Sequence, residues 1–251
     1  MTFRIAIAGK GGVGKSTIAA LTVRALHELK GEIIMAVDAD PNSNLGEKLG
    51  VKVERTIGDL REDIIKNMDE VPVGQSKQEY VRYQMQLALV EGEHFDLLTM
   101  GRQEGPGCYC YINNILRTFL DMAMDDYDYV VIDNEAGMEH LSRRTTKEMD
   151  VMLIVADPTR AGLETAVRIK ELASNMGIEI GQAIIVINRV RDDIDGEGEK
   201  IVQRGRFDLT YALPFDAQIE QIAIEGQSLL ELDAMNPFYQ NVKRMIGSVV
   251  R

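Results

Sequence analysis

Residues 9–17 read GKGGVGKST, which fits the phosphate-binding pattern G-x-x-x-x-G-K-[ST] and adds a second lysine, Lys10, near its start. Before this stretch, residues 3–8 form a short, mostly apolar run that predicts a strand. After it, residues 15–29 have apolar side chains at near-helical spacing, without proline or glycine, and predict a helix. Because a strand, a glycine-rich loop and a helix follow in the order that phosphate binding requires, the sequence predicts a nucleotide site here.

Each part of this loop has an expected role. The glycines can adopt backbone angles closed to other residues, so that their N–H groups and the helix N-terminus can surround a β-phosphate. Lys15 is expected to reach the β- and γ-phosphates, and the hydroxyl of Ser16 is expected to bind Mg²⁺. The residues expected to contribute to nucleotide binding are Gly11, Gly12, Val13, Gly14, Lys15, Ser16 and Thr17.

Length and composition limit the class of protein. A chain of 251 residues with 45% hydrophobic residues allows one large α/β domain or two small ones, and we predict a single domain over residues 1–251. The net charge of -12 argues against a dedicated nucleic-acid surface, although it leaves room for a local basic patch. We expect no membrane span and no signal peptide, because no apolar run is long enough and the first 20 residues lead directly into the phosphate loop.

The pattern of apolar runs predicts the fold. Runs such as 130–132 and 184–187 look buried on both faces, which is typical of a parallel sheet covered by helices. We therefore predict a single-domain α/β fold of the P-loop NTPase type, with a mostly parallel sheet of about seven strands and helices on both faces. Residues 61–93 are interpreted as a polar helical insertion and residues 192–199 as an exposed acidic loop. After the first strand, the predicted strands are 33–37, 95–100, 129–133, 151–156, 183–188 and 208–213.

Aspartates at predicted strand ends are candidates for metal and water chemistry. Asp38 and Asp40 follow the second predicted strand, and such a position points a carboxylate into the ligand crevice of an open α/β sheet. One of them can hold Mg²⁺ through water while the other orients the attacking water. The alternative is an acidic turn that ends at Pro41. Asp133 ends the strand 129–133 and is the second candidate on the metal side.

Three further segments are expected at the nucleotide. Residues 134–140 are interpreted as a loop that senses the γ-phosphate, with the N–H of Gly137 as its donor. Asn188 and Arg189, at a strand end, could present an amide to the edge of the adenine. The base pocket is expected to be completed by Leu213, Pro214 and Phe215.

The two cysteines of the chain, Cys108 and Cys110, lie in a loop around residues 101–111 that leads into a helix predicted over 111–124. A helix N-terminus favours thiolates, which are the form that binds metal. One CxC pair supplies two ligands, whereas zinc or nickel commonly takes four, so a symmetric dimer would complete the set. The alternatives are ordinary reduced thiols or a redox couple. Two close cysteines exclude a disulfide framework, and we expect a reducing cytoplasm.

Together these features resemble the deviant Walker A ATPases, the family that includes MinD, ParA and the nitrogenase iron protein. The resemblance covers the core of nearly the whole chain and rests on GKGGVGKST (9–17), DADP (38–41), the strand ending in Asp133, Asn188 and LPFD (213–216).

The family resemblance implies a sandwich dimer with ATP or ADP and Mg²⁺ at the interface. Lys10 would cross to the γ-phosphate held by the other subunit, as an arginine finger does, and would act there with Lys15. Asp40 would position the attacking water, and Asp38 would lie on the magnesium side.

Within this family, GCYC (107–110) and DNEAGMEHL (133–141) look like the CooC branch, whose members are nickel-handling ATPases that help to mature carbon monoxide dehydrogenase and related acetyl-CoA synthase enzymes. The likeness implies that Cys108 and Cys110 of two subunits bind Ni²⁺ or Zn²⁺ at the dimer interface. It also implies a homodimer formed on ATP or metal binding and a client nickel enzyme as partner. The chain departs from the nitrogenase iron protein, which needs two cysteines far apart in sequence.

Two other functions are compatible with the sequence. One is a positioning or partition ATPase of the MinD or ParA kind that acts on a membrane or DNA. Its membrane form would need an amphipathic C-terminal helix, and the apolar stripe of residues 236–251 is more typical of core packing than of a lipid anchor. The other is a redox or metal sensor in which ATP is only a ligand.

Overall fold

The computed structural model describes residues 2–66, 76–101, 123–135, 148–191 and 194–250. The strands within these ranges are β1 (Phe3–Gly9), β2 (Ile34–Asp38), β3 (Val90–Glu91), β4 (Phe95–Thr99), β5 (Tyr129–Asp133), β6 (Glu148–Ala156), β7 (Glu179–Val190) and β8 (Leu209–Pro214). The helices are α1 (Lys15–Lys30), α2 (Leu45–Lys48), α3 (Ile57–Lys66), α4 (Lys77–Gln86), α5 (Arg160–Asn175), α6 (Gly196–Gly205), α7 (Ala217–Glu225) and α8 (Pro237–Val249), and a 3₁₀ turn spans Leu229–Glu231.

The strands form one sheet in the order β3-β4-β2-β5-β1-β6-β7-β8. All neighbouring strands run parallel except β3, which pairs antiparallel with β4 at the edge. The predicted α/β fold is confirmed, and each of the seven predicted strands is present. The eighth strand, β3, escaped prediction because two residues are too few to show a period.

Alternation along the strands covers both faces of the sheet. On β1, Ile5 and Ile7 pack with α1 and α8, whereas Ala6 and Ala8 pack with α5 on the opposite face. All four side chains are fully buried. The sheet is therefore the middle layer of three, as expected of a parallel sheet.

The segment interpreted as a polar insertion helps to cover the sheet. Ile64 of α3 and Val81 and Met85 of α4 are buried in one cluster with residues of β2, β4 and β5, including Met35, and Leu60, just before the segment, belongs to the same cluster. An apolar stripe thus runs through a segment whose overall composition is polar. Residues 67–75 lie outside the described ranges, as does most of the helix predicted over 111–124.

The prediction of an acidic loop over residues 192–199 is wrong for its second half. Helix α6 begins at Gly196, and the carboxylate of Asp195 caps it by accepting a hydrogen bond from the N–H of Gly198 at 2.7 Å. Glu197 and Glu199 lie in the first turn, where the helix dipole favours negative charge. A run of acidic residues that reads as a loop is therefore also a helix start.

The C-terminal helix α8 packs into the core. Its apolar residues, among them Val242, Met245 and Ile246, are fully buried in the cluster beneath α1. Asn236 caps the helix by accepting a hydrogen bond from the N–H of Tyr239 at 3.1 Å. Core packing of this stripe is confirmed. Over the described part of the chain, no helix combines the length and apolar character needed to cross a membrane.

Candidate functional site

The phosphate loop joins β1 to α1 at the carboxyl edge of the sheet. Gly12 and Gly14 have φ angles of 80° and 97°, which side chains disfavour. A Cβ at Gly9 would lie 2.4 Å from the carbonyl oxygen of Val155 on β6, so glycine at this position permits the close approach of strands β1 and β6. The side chain of Val13 is buried in the core and anchors the middle of the loop.

Helix α1 presents a bare N-terminus to this loop. Its cap is Gly14, which has no side chain to bind the first N–H groups, and the first turn holds no acidic residue. The N–H of Ile18 closes the first helical hydrogen bond to the carbonyl of Gly14 at 3.0 Å. The N–H groups of the preceding turn therefore face the loop and suit an anion.

The two lysines of the motif differ in their surroundings. Lys15 is only 6% exposed, and its Nζ lies 3.5 Å from the backbone oxygen of Lys10, which is longer than a typical hydrogen bond. The ammonium of Lys15 is thus weakly held and free to bind a phosphate. The side chain of Lys10 is exposed.

Asp38, at the end of β2, lies beside the loop and is fully buried. Its Oδ1 accepts a hydrogen bond from the N–H of Asp40 at 3.1 Å, and its Oδ2 accepts one from the N–H of Leu45 at 2.9 Å. Burial raises the pKa of Asp38 to about 6, although these two hydrogen bonds lower it. Asp38 therefore shapes the turn after β2.

Asp40 is 9% exposed, and its Oδ1 accepts hydrogen bonds from the backbone N–H and the side-chain amide of Asn42 at 2.9 and 2.8 Å. These bonds fix the orientation of the carboxylate at the rim of the site. The geometry is compatible with positioning a water molecule.

Asp133, at the end of β5, has a more strongly raised pKa than Asp38. Its pKa is about 7, because burial and the nearby charge of Asp38 raise it by more than Ser16 and Lys15 lower it. Ser16 lies close enough to lower the pKa, but neither oxygen of Asp133 is engaged in a hydrogen bond of good geometry. Two buried, unpartnered carboxylate oxygens favour a cation or an ordered water at this position.

These residues fit a magnesium ion. Mg²⁺ at nucleotide sites commonly takes one or two protein ligands and completes its shell with phosphate oxygens and water. Asp133, with its unpartnered oxygens, and the nearby hydroxyl of Ser16 supply that number. Within the described ranges no group of three or more His, Cys, Asp or Glu side chains is arranged to hold a metal ion.

A cavity of about 250 Å³ lies beside the loop, where the base pocket is expected. Asn188, Arg189, Pro214 and Phe215 line it, whereas the side chain of Leu213 is buried in the core. The cavity is also lined by Gly14, Thr17, Asp216, Ile219, Glu220, Ala223, Ile224 and Phe238.

The structure adds an interaction to the predicted role of Asn188 and Arg189. Nδ2 of Asn188 donates to the carbonyl oxygen of Val13 at 2.8 Å, and Nη1 of Arg189 donates to the carbonyl oxygen of Gly12 at 3.1 Å. Both side chains therefore contact the phosphate loop as well as the cavity.

Three predicted site residues cannot be placed. Cys108, Cys110 and Gly137 lie outside the described residues. The metal ligands and the γ-phosphate donor therefore stay predictions.

Sequence reasoning missed Thr99, which ends β4 in register with Asp38. Its side chain is 1% exposed, and its hydroxyl has no hydrogen-bond partner. The rule that identified Asp38 and Asp133, a polar residue at the end of a buried strand, applies equally to Thr99. Sequence reasoning also missed the role of Asp216 in the motif LPFD (213–216). Its carboxylate caps α7 by accepting hydrogen bonds from the N–H groups of Gln218 and Ile219.

Comparison with known proteins identifies a family of nucleotide-binding domains. A family profile described as the CobQ/CobB/MinD/ParA nucleotide binding domain matches residues 5–229. An uncharacterised ATP-binding protein of Methanocaldococcus jannaschii is 42% identical over 98% of each chain. The carbon monoxide dehydrogenase accessory protein CooC of Rhodospirillum rubrum is 32% identical over 91% of this chain and 90% of its own length.

Solved structures agree on the fold. The cell-division ATPase MinD of Pyrococcus furiosus superposes with a TM-score of 0.72 over the whole of both chains, at 20% identity. MinD of Pyrococcus horikoshii, solved with Mg-ADP, superposes with a TM-score of 0.71 over 100% of this chain and 97% of its own, at 21% identity. The family that the phosphate loop and the strand-end aspartates suggested is thereby confirmed, and this chain belongs to the CobQ/CobB/MinD/ParA family of nucleotide-binding domains.

Proposed function

We propose that this protein is a cytoplasmic, ATP-hydrolysing nickel chaperone that assists nickel insertion into a carbon monoxide dehydrogenase or acetyl-CoA synthase. ATP binding would close a homodimer, hydrolysis would reopen it, and nickel, as the cargo, would bind at the seam. Two independent supports carry the two halves of the proposal. The geometry of the loop supports ATP hydrolysis, and the 32% identity with a carbon monoxide dehydrogenase accessory protein supports the client.

The assignment of a nucleotide site rests on one observation: positive and negative groups lie side by side at the phosphate loop. The buried ammonium of Lys15 and the bare N-terminus of α1 form a positive cradle for phosphates. The unpartnered oxygens of Asp133 lie next to it and suit a cation. A structural turn needs neither a buried lysine nor an unsatisfied buried carboxylate, and both are costly without a ligand.

The expected chemistry follows from these positions. Lys15 and the loop N–H groups bind and orient the β- and γ-phosphates. Asp40 orients the attacking water, while Asp38 holds the turn that carries Asp40 by accepting its N–H. When bound, Mg²⁺ would be held by Asp133 and Ser16 and would neutralise the negative charge that develops on the phosphates.

Dimerisation is supported by the exposure of Lys10. Lys10 lies in the loop itself, yet its side chain is turned to solvent. An exposed lysine beside a phosphate site can serve the site of a second subunit, as an arginine finger does in trans.

The metal half rests on the chemistry of Cys108 and Cys110. One such pair supplies two thiolates, and two pairs in a symmetric dimer supply the four ligands of a tetrahedral or square-planar site. Sedimentation of the reduced protein, with and without Ni²⁺, Zn²⁺ and a non-hydrolysable ATP analogue, tests this arrangement. We expect about one metal per dimer, lost in the Cys108→Ser/Cys110→Ser double variant. Equal metal content in the variant and the wild type would exclude the cysteines as ligands.

ATP hydrolysis has a separate test. Lys15→Ala should abolish turnover while metal still binds, and Asp40→Ala should do the same because the water is no longer oriented. Lys52→Ala, which removes an 86% exposed lysine far from the motif in sequence, is the matched control and should keep full activity. Undiminished turnover in Lys15→Ala would overturn the nucleotide assignment.

The apolar stripe of α8 packs in the core, so it gives no support to the positioning or partition alternative. Two experiments test this alternative directly: cosedimentation with anionic liposomes and a DNA mobility assay, each with and without ATP. Binding in either assay would favour this alternative over the chaperone.

A further inference from the structure

Two residues at the end of β7 hold consecutive carbonyl groups of the phosphate loop. Asn188, which is 3% exposed, donates to the oxygen of Val13 at 2.8 Å, and Arg189 donates to the oxygen of Gly12 at 3.1 Å. In a trans peptide the C=O and the following N–H point in opposite directions. Fixing these two carbonyls therefore fixes the directions of the N–H groups of Val13 and Gly14.

The local backbone is arranged to make these contacts. Arg189 has a φ of 60°, which is uncommon for a residue with a side chain, and its N–H donates to Oδ1 of Asn188 at 2.9 Å. Gly14 leaves room for the amide, since a Cβ there would lie 2.6 Å from Nδ2 of Asn188. An unfavourable backbone angle persists only where surrounding contacts maintain it. The hydrogen bond from Arg189 to Gly12 is one of the contacts that maintain the positive φ of Arg189.

The same pair lines the cavity of about 250 Å³ together with Pro214 and Phe215. We propose that Asn188 and Arg189 are positioning residues of the phosphate loop, which aim the N–H groups of Val13 and Gly14 at the phosphates. This rests on the nucleotide site of the proposed function. The loop contacts, however, exist without a ligand, so they are testable independently of it.

The direct test is nitrogen-15 relaxation of the nucleotide-free protein. In the wild type we expect the amides of Val13 and Gly14 to have order parameters near about 0.85, the value of rigid backbone. In Asn188→Ala and Arg189→Ala these should fall towards about 0.6. Arg206→Ala is the matched control, because Arg206 also has a positive φ, 48°, but ends α6 ahead of β8. Unchanged order parameters in both loop variants would overturn the proposal, whether or not the protein binds nucleotide.

A ligand without a base separates loop positioning from base contact. Loss of one hydrogen bond to the loop should lower the affinity for inorganic tripolyphosphate by about two- to tenfold. The affinity for ATP should fall by at least as much. If Asn188→Ala lowers the affinity for ATP but leaves the affinity for tripolyphosphate unchanged, the residue acts on the base alone and the proposal is wrong. A wild type that binds neither ligand would contradict the proposed nucleotide site, and the relaxation experiment would still decide on the loop.

Two substitutions of Arg189 separate positioning from stability. Arg189→Gly removes the strain of the positive φ, so its melting temperature should equal or exceed that of the wild type, as in the control Arg206→Gly. Loop order should nevertheless fall as in Arg189→Ala. Arg189→Lys keeps a donor and should restore part of the order and of the tripolyphosphate affinity. Full loop order in Arg189→Gly would show that the side chain does not position the loop.

Discussion

Asp38 and Asp133 are register partners at the ends of the neighbouring parallel strands β2 and β5, and both side chains are fully buried. Asp38 accepts two backbone hydrogen bonds, whereas Asp133 has none of good geometry. Burial is the main cause that raises both pKa values, to about 6 for Asp38 and about 7 for Asp133. The charge of Asp40 also raises the pKa of Asp38, and the charge of Asp38 also raises that of Asp133. The folded, ligand-free protein therefore carries two carboxylates that are unfavourable when both are ionised.

The first prediction concerns the pH dependence that this pair causes. The folded-state pKa of Asp133, about 7, lies above the reference value of 3.8, so the folded protein binds more protons than the unfolded chain between these values. The stability contributed by Asp133 thus falls as pH rises from about 4 to 7. In nucleotide-free protein without Mg²⁺, Asp133→Asn should raise the free energy of unfolding at pH 8 by about 1–3 kcal/mol. Denaturant unfolding at several pH values measures this gain.

The pH profile of the difference between Asp133→Asn and wild type supplies the control, because groups common to both cancel. The gain should shrink steadily as pH falls from 7 towards 4. A gain of the same size at pH 5 and pH 8 would mean that the pKa of Asp133 in the folded protein is not raised above that of the unfolded chain.

The second prediction concerns Glu28 of α1, which pairs with Arg24 of the same helix and with Lys243 of α8. Glu28 accepts hydrogen bonds from Lys243 at 2.6 Å and Arg24 at 2.8 Å. Burial alone would raise the pKa of Glu28, but these two partners outweigh it and lower the pKa to about 2. Glu28→Gln should therefore destabilise the protein at pH 7 by about 1–2 kcal/mol, a value reduced for partial exposure.

The direction with pH distinguishes this effect from that of Asp133. Because the folded-state pKa of Glu28 is depressed below 4.5, its contribution is present above pH 4.5 and is lost as pH falls towards 2. Thermal unfolding of Glu28→Gln and wild type should converge in that window. Glu54→Gln, which removes an 80% exposed carboxylate near Lys52, is the control and should change little at any pH. A Glu28→Gln effect that persists at pH 2 would indicate lost packing instead of lost charge.

Much of the fold followed from local pattern. The run 130–132 is apolar at every position because β5 is covered on both faces, and that signal needs no knowledge of its neighbours. Asp38 and Asp133 were identifiable for the same reason, as polar residues that end such runs. Thr99 satisfies the same rule, but a hydroxyl carries no charge to single it out.

Other features depend on contacts between distant segments. The bond from Asn188 to Val13 joins residues 175 positions apart, and no local pattern predicts it. Likewise the apolar stripe of α3 and α4 is visible only when the sheet surface around Met35 is known. The acidic stretch that begins α6 was misinterpreted because caps and loops use the same residues.

The third prediction compares two glycines of the phosphate loop. In Gly9→Ala the new Cβ would lie 2.4 Å from a backbone oxygen of β6, so the strands must separate. In Gly12→Ala the new Cβ has no atom within 4 Å, and only the positive φ of 80° opposes it. We expect a loss of about 1 kcal/mol for Gly12→Ala and a clearly larger loss, about 2–3 kcal/mol, for Gly9→Ala. Equal losses by denaturant unfolding would show that close approach to β6 does not restrict position 9.

The fourth prediction concerns Lys10, whose side chain is exposed in the single chain although its backbone oxygen lies beside Lys15. If Lys10 serves the site of a partner subunit, Lys10→Ala should leave ATP binding to the monomer unchanged. Hydrolysis should fall by about 10³-fold or more, the loss typical of a missing arginine finger. Fluorescent-nucleotide titration and steady-state phosphate release measure the two quantities separately.

Mixing two inactive variants tests whether Lys10 acts in trans. Lys10→Ala retains Lys15 in its own loop, and Lys15→Ala retains Lys10 for its partner, so a mixed dimer contains one complete site. An equimolar mixture should therefore recover activity that neither variant has alone, and the recovery should depend on protein concentration because the dimer must form. Each variant mixed with itself is the control. If the mixture recovers no activity although sedimentation detects mixed dimers, Lys10 does not act on the site of the partner subunit. It would then act in the site of its own subunit or take no part in hydrolysis.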